Sequence, residues 1–253
     1  MDGQLNDPVD LSVSDLEELR AVMGDCRRCA LGATRTHLVF GVGDPRARLM
    51  LIGEAPGRNE DLNGEPFVGA AGKLLDELLA GIGLTREMIY IANILKSRPP
   101  GNRDPLPEEI EACTPFLREQ VRLVAPDLIA TLGNFATRFM LGRTEGITAL
   151  HGRLFRREGR LVLPVFHPAV ALYDVKKRPV LAGDFDRLSA VLARVADGEL
   201  VPSDTAGDPS EERSAPGGAP DDPPDVRPAP GDAAGDPAGS GPVQVVLDGF
   251  EDL

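Results

Sequence analysis

Nowhere in these 253 residues do eighteen consecutive apolar residues occur, and no basic-then-apolar leader opens the chain. A membrane-spanning helix takes about 20 such residues, and a secretory leader has its own charged and apolar regions. The sequence therefore predicts a soluble, cytoplasmic protein with no membrane partner. Cysteine is scarce: Cys26, Cys29 and Cys113 are the three present. An odd number of thiols in a chain this long does not make a secreted disulfide scaffold. Also missing is any overall excess of positive charge. The formal net charge of −13 argues against nucleic acid only if it is evenly spread, and it is not. Twelve acidic and two basic residues come after Val201, leaving 28 acidic and 25 basic before it. The acidity belongs to the tail. The body is near neutral and carries local basic clusters at Arg153, Arg156, Arg157 and Arg160 and at Lys176, Lys177 and Arg178.

Residues 202–242 hold 10 proline and 7 glycine residues and no aromatic residue. Such a segment buries too little apolar surface to offset its ordering entropy. Three parts are expected: a folded domain over 1–199, a disordered acidic linker over 200–242, and a terminal peptide over 243–253 where valine, leucine and phenylalanine return.

Within the body, Ser14-Asp15-Leu16-Glu17 matches a capping box opening a helix that delivers the chain to Cys26. Short apolar strands are expected at 48–52, 88–95, 127–132 and 161–166, with helices at 70–79, 107–124 and 135–141 between them. Strands that alternate with helices give a parallel sheet covered on both faces. The fold class is therefore α/β: a three-layer α/β/α domain with a four-stranded, mainly parallel sheet.

Open parallel sheets bind ligands beyond the carboxyl ends of their strands. The four strands run out, in turn, into GEAPG, Asn93 to Arg98, Gly133-Asn134, and HPAVALY. Three of these ends offer a carboxylate, a carboxamide and an imidazole to one shared site. The glycine-rich stretch after the first strand, GEAPGRNEDLNGEPFVGAAG, lacks the Gly-Lys-Ser/Thr of a Walker A loop and the G-x-G-x-x-G of a dinucleotide fold. Its backbone can still come close to a ligand. Glu54 and Glu60 are either water-activating carboxylates or surface charges, and Phe67 is either core or a stacking platform. Asn93 interrupts an apolar strand, where an amide must stitch backbone together or read a ligand's polar edge. His167, between an apolar run and a proline, is placed to donate a hydrogen bond to developing negative charge. His37 and His151 have no such placement. Cys26-x-x-Cys29 brings two thiols onto one turn, as zinc and iron–sulfur centres require, yet only Cys113 remains to join them.

Taken together, GEAPG, PFVGAAG with its two leucines, N-x-x-K-x-RPPGNR-x-P, the cysteine before TPFL, LGN and HP resemble the iron–sulfur uracil-DNA glycosylases of family four, over roughly Leu16 to Leu192. The resemblance implies the glycosylase α/β/α fold and a monofunctional enzyme that flips uracil from DNA and hydrolyses its glycosidic bond. It implies that the Gly53–Gly57 loop, with Ala55, lines the pocket and offers Glu54 near the bond, with Glu60 the second acidic position. By the same likeness Phe67 stacks on uracil, Asn93 bonds its polar edge and His167 faces O2. Other readings of the same residues are a non-catalytic uracil-DNA binding module or a glycosylase for another deaminated base.

The likeness also implies a four-cysteine 4Fe–4S iron–sulfur cluster. Cys26, Cys29 and Cys113 match three of its ligands, and Ser97 stands where the fourth belongs. Serine ligation, a 3Fe–4S cluster, zinc on three thiolates and an empty site are the alternatives. In the terminal peptide, Gln244, Leu247 and Phe250 have the Q-x-x-L-x-x-F form of a sliding-clamp ligand, which a long linker would tether near DNA. The protein is expected to act as a monomer on uracil-containing DNA.

Overall fold

The computed structural model describes residues 11–201. The expected linker and clamp peptide lie outside them. Helix α1 (Leu16–Met23) is capped one residue later than the capping-box pattern predicts. Asp15 is the N-cap, accepting from the Glu18 amide at 2.8 Å, and Glu18 returns the contact by accepting from the Ser14 amide and hydroxyl. The strands are β1 (Val42–Gly43), β2 (Leu49–Gly53), β3 (Tyr90–Asn93), β4 (Leu128–Leu132), β5 (Phe155–Arg157) and β6 (Arg160–Val165). They form one sheet in the order β1-β3-β2-β4-β6-β5. The four middle strands are parallel, as the sequence predicts, but the sheet has six strands. The extra two, β1 and β5, are short antiparallel edges of two and three residues. Neither is long enough to show an apolar period, which is why the sequence predicts only four.

Between and after the strands lie α2 (Arg58–Asn63), α3 (Ala70–Gly81), α4 (Pro107–Val124), α5 (Asn134–Leu141), α6 (Ile147–Leu150), α7 (Val170–Tyr173) and α8 (Arg178–Ala196). The alternating strand side chains divide the core in two. Met50, Ile52, Ala92 and Ile129 pack with Leu19 of α1, Leu117 of α4 and Met140 of α5. Leu49, Leu51, Ile91, Ala130 and Leu163 pack with Leu75 of α3 and Leu188 of α8. Every residue of β2, β3 and β4 is buried, so the middle strands read as continuous apolar runs rather than alternating ones. The expected 88–95 strand is shorter, because Arg86–Met88 is a 3-10 turn. Past its end, the amides of Ile94 and Leu95 still donate to the Gly53 and Glu54 carbonyls at 2.9 and 3.0 Å. Among the described residues no helix is long and apolar enough to cross a membrane.

Candidate active site

Strand register puts Gly53 beside Asn93 and Leu132 beside Val165, so the four parallel strands end along one edge. A Cβ on Gly53 would lie 2.3 Å from Asn93 Oδ1 and 2.8 Å from Phe67 Cζ. Only glycine lets those two side chains close over the strand end. The Phe67 ring stacks in turn with His167, centroids 5.6 Å apart and planes at 30°. At the end of β4, Gly133 (φ +88°) passes so close to His167 that an added Cβ would come within 3.0 Å of the histidine Cβ. Gly53, Phe67, Asn93 and His167, far apart in sequence, are thus neighbours.

Asn93 is buried, and its Oδ1 has no hydrogen-bond partner. An unpaired buried acceptor costs about 1–3 kcal/mol, a cost removed when a donor arrives from outside. The strand beneath is fixed: Lys96, also buried, donates from Nζ to the Asn93 carbonyl at 2.7 Å and to Gln120 Oε1 at 2.6 Å. Burial pushes the Lys96 pKa down to about 7.

His167 is held in one tautomer. The Ala169 amide donates to its Nδ1 at 3.1 Å, which leaves the proton on Nε2. Burial pushes its pKa down to about 4, with the Glu60 carboxylate opposing. At neutral pH the ring is an uncharged Nε2–H donor. Glu60 Oε1 accepts from the Val68 and Gly69 amides at 3.0 and 2.9 Å, tying α2 to the start of α3. Glu54 and Ala55 are half-buried in the loop after β2.

Away from this pocket, the three cysteines are free thiols. Burial pushes Cys113 up to about 12, with the nearby charges of Cys29 and Cys26 adding to the shift, so the three share one neighbourhood. Burial raises Cys29 as well. Ser97 is buried, and the Arg35 guanidinium donates to its Oγ at 3.3 Å and to the Cys26 carbonyl at 2.6 Å. Arg35 also pairs with Asp25 at 2.6 Å. Among the described residues, no three His, Cys, Asp or Glu side chains converge on a single-ion site.

Residues 40–186, from just before β1 into α8, match the model of the uracil DNA glycosylase superfamily. The chain belongs to that family. It is 42% identical to a Type-4 uracil-DNA glycosylase of Archaeoglobus fulgidus over 190 residues, 72% of this chain and 96% of that protein. A Type-4 enzyme of Sulfurisphaera tokodaii is 40% identical over 185 residues, covering 70% and 84%. A Type-5 uracil-DNA glycosylase of Pyrobaculum aerophilum is more distant, at 31% over 171 residues, covering 61% and 73%.

For a member of this superfamily the basic clusters now separate. Arg156, Arg157 and Arg160 sit where β5 turns into β6, at the opposite end of the sheet from His167. Lys176 and Arg178 instead come directly after the pocket and are exposed, next to the exposed Leu172, Tyr173 and Val175. His37 is exposed and bonds the Asp61 carbonyl at 3.0 Å. His151, without a role in sequence, packs on Phe166, ring centroids 4.4 Å apart: its Nδ1 is 2.7 Å from Asp184 Oδ1, and Asp184 Oδ2 accepts from the Phe166 amide at 3.2 Å. The turn into His167 is therefore braced by two residues that no motif announces.

Proposed function

We propose that this chain is a monofunctional uracil-DNA glycosylase of base-excision repair, which extrudes uracil from DNA and hydrolyses its N-glycosidic bond. The observation that carries the reading is the unpaired Asn93 Oδ1 beside the Phe67 ring, which in turn stacks with a neutral imidazole. A base inside a duplex is out of reach, so the enzyme must take it out of the stack or use single strands. In the pocket Phe67 stacks on the base, Asn93 Oδ1 accepts from N3–H, and the Asn93 amide donates to O4. Cytosine fails both contacts, since its N3 is an acceptor and its N4 a donor. As the bond to C1′ breaks, negative charge gathers on uracil O2, where His167 Nε2–H stabilises it at no cost in protonation. A water must then reach C1′. Glu54, half-buried in the loop directly after β2, is the first candidate to orient it, and Glu60 the second. Lys176 and Arg178 supply phosphate contacts that position the strand without reading its sequence.

The 1–199 domain carries this chemistry. The acidic 200–242 linker and a clamp-binding peptide, through Gln244, Leu247 and Phe250, would keep it near replicating DNA. The deciding experiment is release of free uracil from an oligonucleotide with a single uracil, leaving an abasic site. Multiple turnovers are expected. Uracil-dependent binding without release would overturn the enzyme in favour of a binding module.

The donor set of Cys26, Cys29 and Cys113 fits an iron–sulfur cluster, with zinc on the same thiolates the runner-up. Cys113 is buried and the other two are half-buried in one neighbourhood, and thiolates are the ligands such clusters take. When bound, the cluster supplies cross-linking rather than bond-breaking chemistry, joining the segment after α1 to the start of α4. At the fourth corner Ser97 offers a harder oxygen ligand beside a permanent cation. That cation clips the Cys26 turn to Ser97 directly. Arg103 adds a second clip, forking onto buried Glu109 at 2.6 and 2.9 Å and fixing the 98–105 loop on α4. Ser97→Cys is expected to raise bound iron and slow its loss to a chelator by about tenfold, read by iron and sulfide content and visible absorbance. Chelation is expected to lower the melting temperature of the wild-type chain, and by less than in Ser97→Cys, because the clips at Arg35 and Arg103 remain.

A further inference from the structure

Phe67 has φ +56°, in the left-handed region that an aromatic residue rarely occupies. Such a conformation persists where the surroundings over-determine it, and it collects at functional sites. Two glycines make room for it. Gly53 admits the ring, and Gly72 of α3 admits the carbonyl, since a Cβ on Gly72 would stand 1.6 Å from Phe67 O. Space alone does not hold a strained carbonyl. Arg86, in the 3-10 turn before β3, does hold it. Its Nη2 donates to Phe67 O and, at 3.4 Å, to Gly72 O, while Nη1 donates to Pro66 O at 3.0 Å. The fork is itself anchored by Nε on Asp76 Oδ1 at 2.5 Å. Glu60 closes the other side by accepting the amides of Val68 and Gly69, so the four residues 66–69 are gripped by opposite charges at both ends.

We propose that Arg86 is a positioning residue for uracil recognition: by holding the carbonyls of Pro66, Phe67 and Gly72 in one fork it keeps the Phe67 ring against Gly53, Asn93 and His167. This rests on Phe67 being the platform for the flipped base. Relaxation of φ to an ordinary value would swing the ring off the strand end and widen the pocket. A lysine at 86 keeps the charge but has no planar fork to grip three carbonyls.

The test is a double-mutant cycle with Arg86→Lys and Phe67→Ala, reading KM for a single-uracil oligonucleotide and the inhibition constant of free uracil. In the wild-type background Arg86→Lys is expected to raise both by about tenfold, with kcat changed less. In the Phe67→Ala background the same change is expected to add less than about twofold, because the ring it positions is gone. An equal factor in both backgrounds, or none in the first, would overturn the proposal and leave Arg86 a fold-stabilising residue. Full activity of Phe67→Ala alone would overturn the platform reading, and this proposal with it. Should Arg86→Lys not accumulate as folded protein, Asp76→Asn loosens the anchor from the surface. It should move both constants in the same direction by about two- to threefold, and no movement would count against the brace.

Discussion

His167→Ala is expected to slow single-turnover uracil release by about 10²–10³-fold, the cost of one preorganised donor at a developing oxyanion. Binding of uracil-containing DNA should change little, since the ring acts where charge appears late. The pH dependence discriminates further. With its pKa near 4, the imidazole stays neutral from pH 6 to 8, where an ordinary histidine of about 6.5 would titrate. The His167-dependent acceleration should therefore be flat over that range. Stability carries the complementary sign. Because the folded value lies below the unfolded one, the unfolded chain binds a proton between about pH 6.5 and 4 that the folded chain does not. The stabilisation is complete above about pH 6.5 and declines as pH falls toward 4. Urea unfolding of wild type and His167→Gln at pH 7 and 4.5 measures this, with a smaller acid loss expected in the variant. A steep histidine-like limb near pH 6.5 in the wild-type rate would contradict the neutral-donor mechanism.

Asn93→Ala should be equally damaging to excision, by about 10²–10³-fold, because it removes both contacts to the polar edge of the base. Its signature is that folding does not suffer in proportion. The wild-type chain carries a buried acceptor without a partner, a liability of about 1–3 kcal/mol in the absence of ligand. Deleting the carboxamide removes that liability, so the melting temperature is expected to hold or rise while activity collapses. A site built around hydrogen bonds also rejects bases that cannot make them. Wild-type preference for uracil over cytosine should be on the order of 10⁴, and Asn93→Ala should erase most of it by losing uracil rather than gaining cytosine. A variant that lost stability and activity together would mark Asn93 as a structural stitch instead.

Both experiments address residues visible in the sequence, and the reason is chemical. A carboxamide inside IANIL and a histidine after LVLPVF break apolar runs that a parallel sheet would otherwise keep continuous, so each break calls for an explanation. The middle strands, most helices and the three-layer arrangement were legible for the same reason: burial on both faces writes itself as uninterrupted apolar sequence. Among the elements that stayed hidden, strands β1 and β5 are too short to alternate. Helix α8 does carry an apolar period, in Leu181, Phe185, Leu188, Val191 and Val195, but it lies beyond the last strand, where the strand–helix alternation no longer calls for it.

The sequence by itself determined which residues could do chemistry and which fold class would hold them. Only the tertiary structure decided their company. Arg86, Arg35, Lys96 and the His151–Asp184 pair look in sequence like ordinary surface charges. Folding turns them inward onto backbone carbonyls, an amide and one another. The contacts span 62 positions from Arg35 to Ser97, 33 from His151 to Asp184, 24 from Lys96 to Gln120 and 20 from Arg86 to Pro66. The same folding commits one oxygen of Glu60 to the amides of Val68 and Gly69. Local sequence reports a side chain's chemistry and its burial period. Which unsatisfied carbonyl or amide it meets depends on the packing of distant segments, and that exists only once the chain has closed.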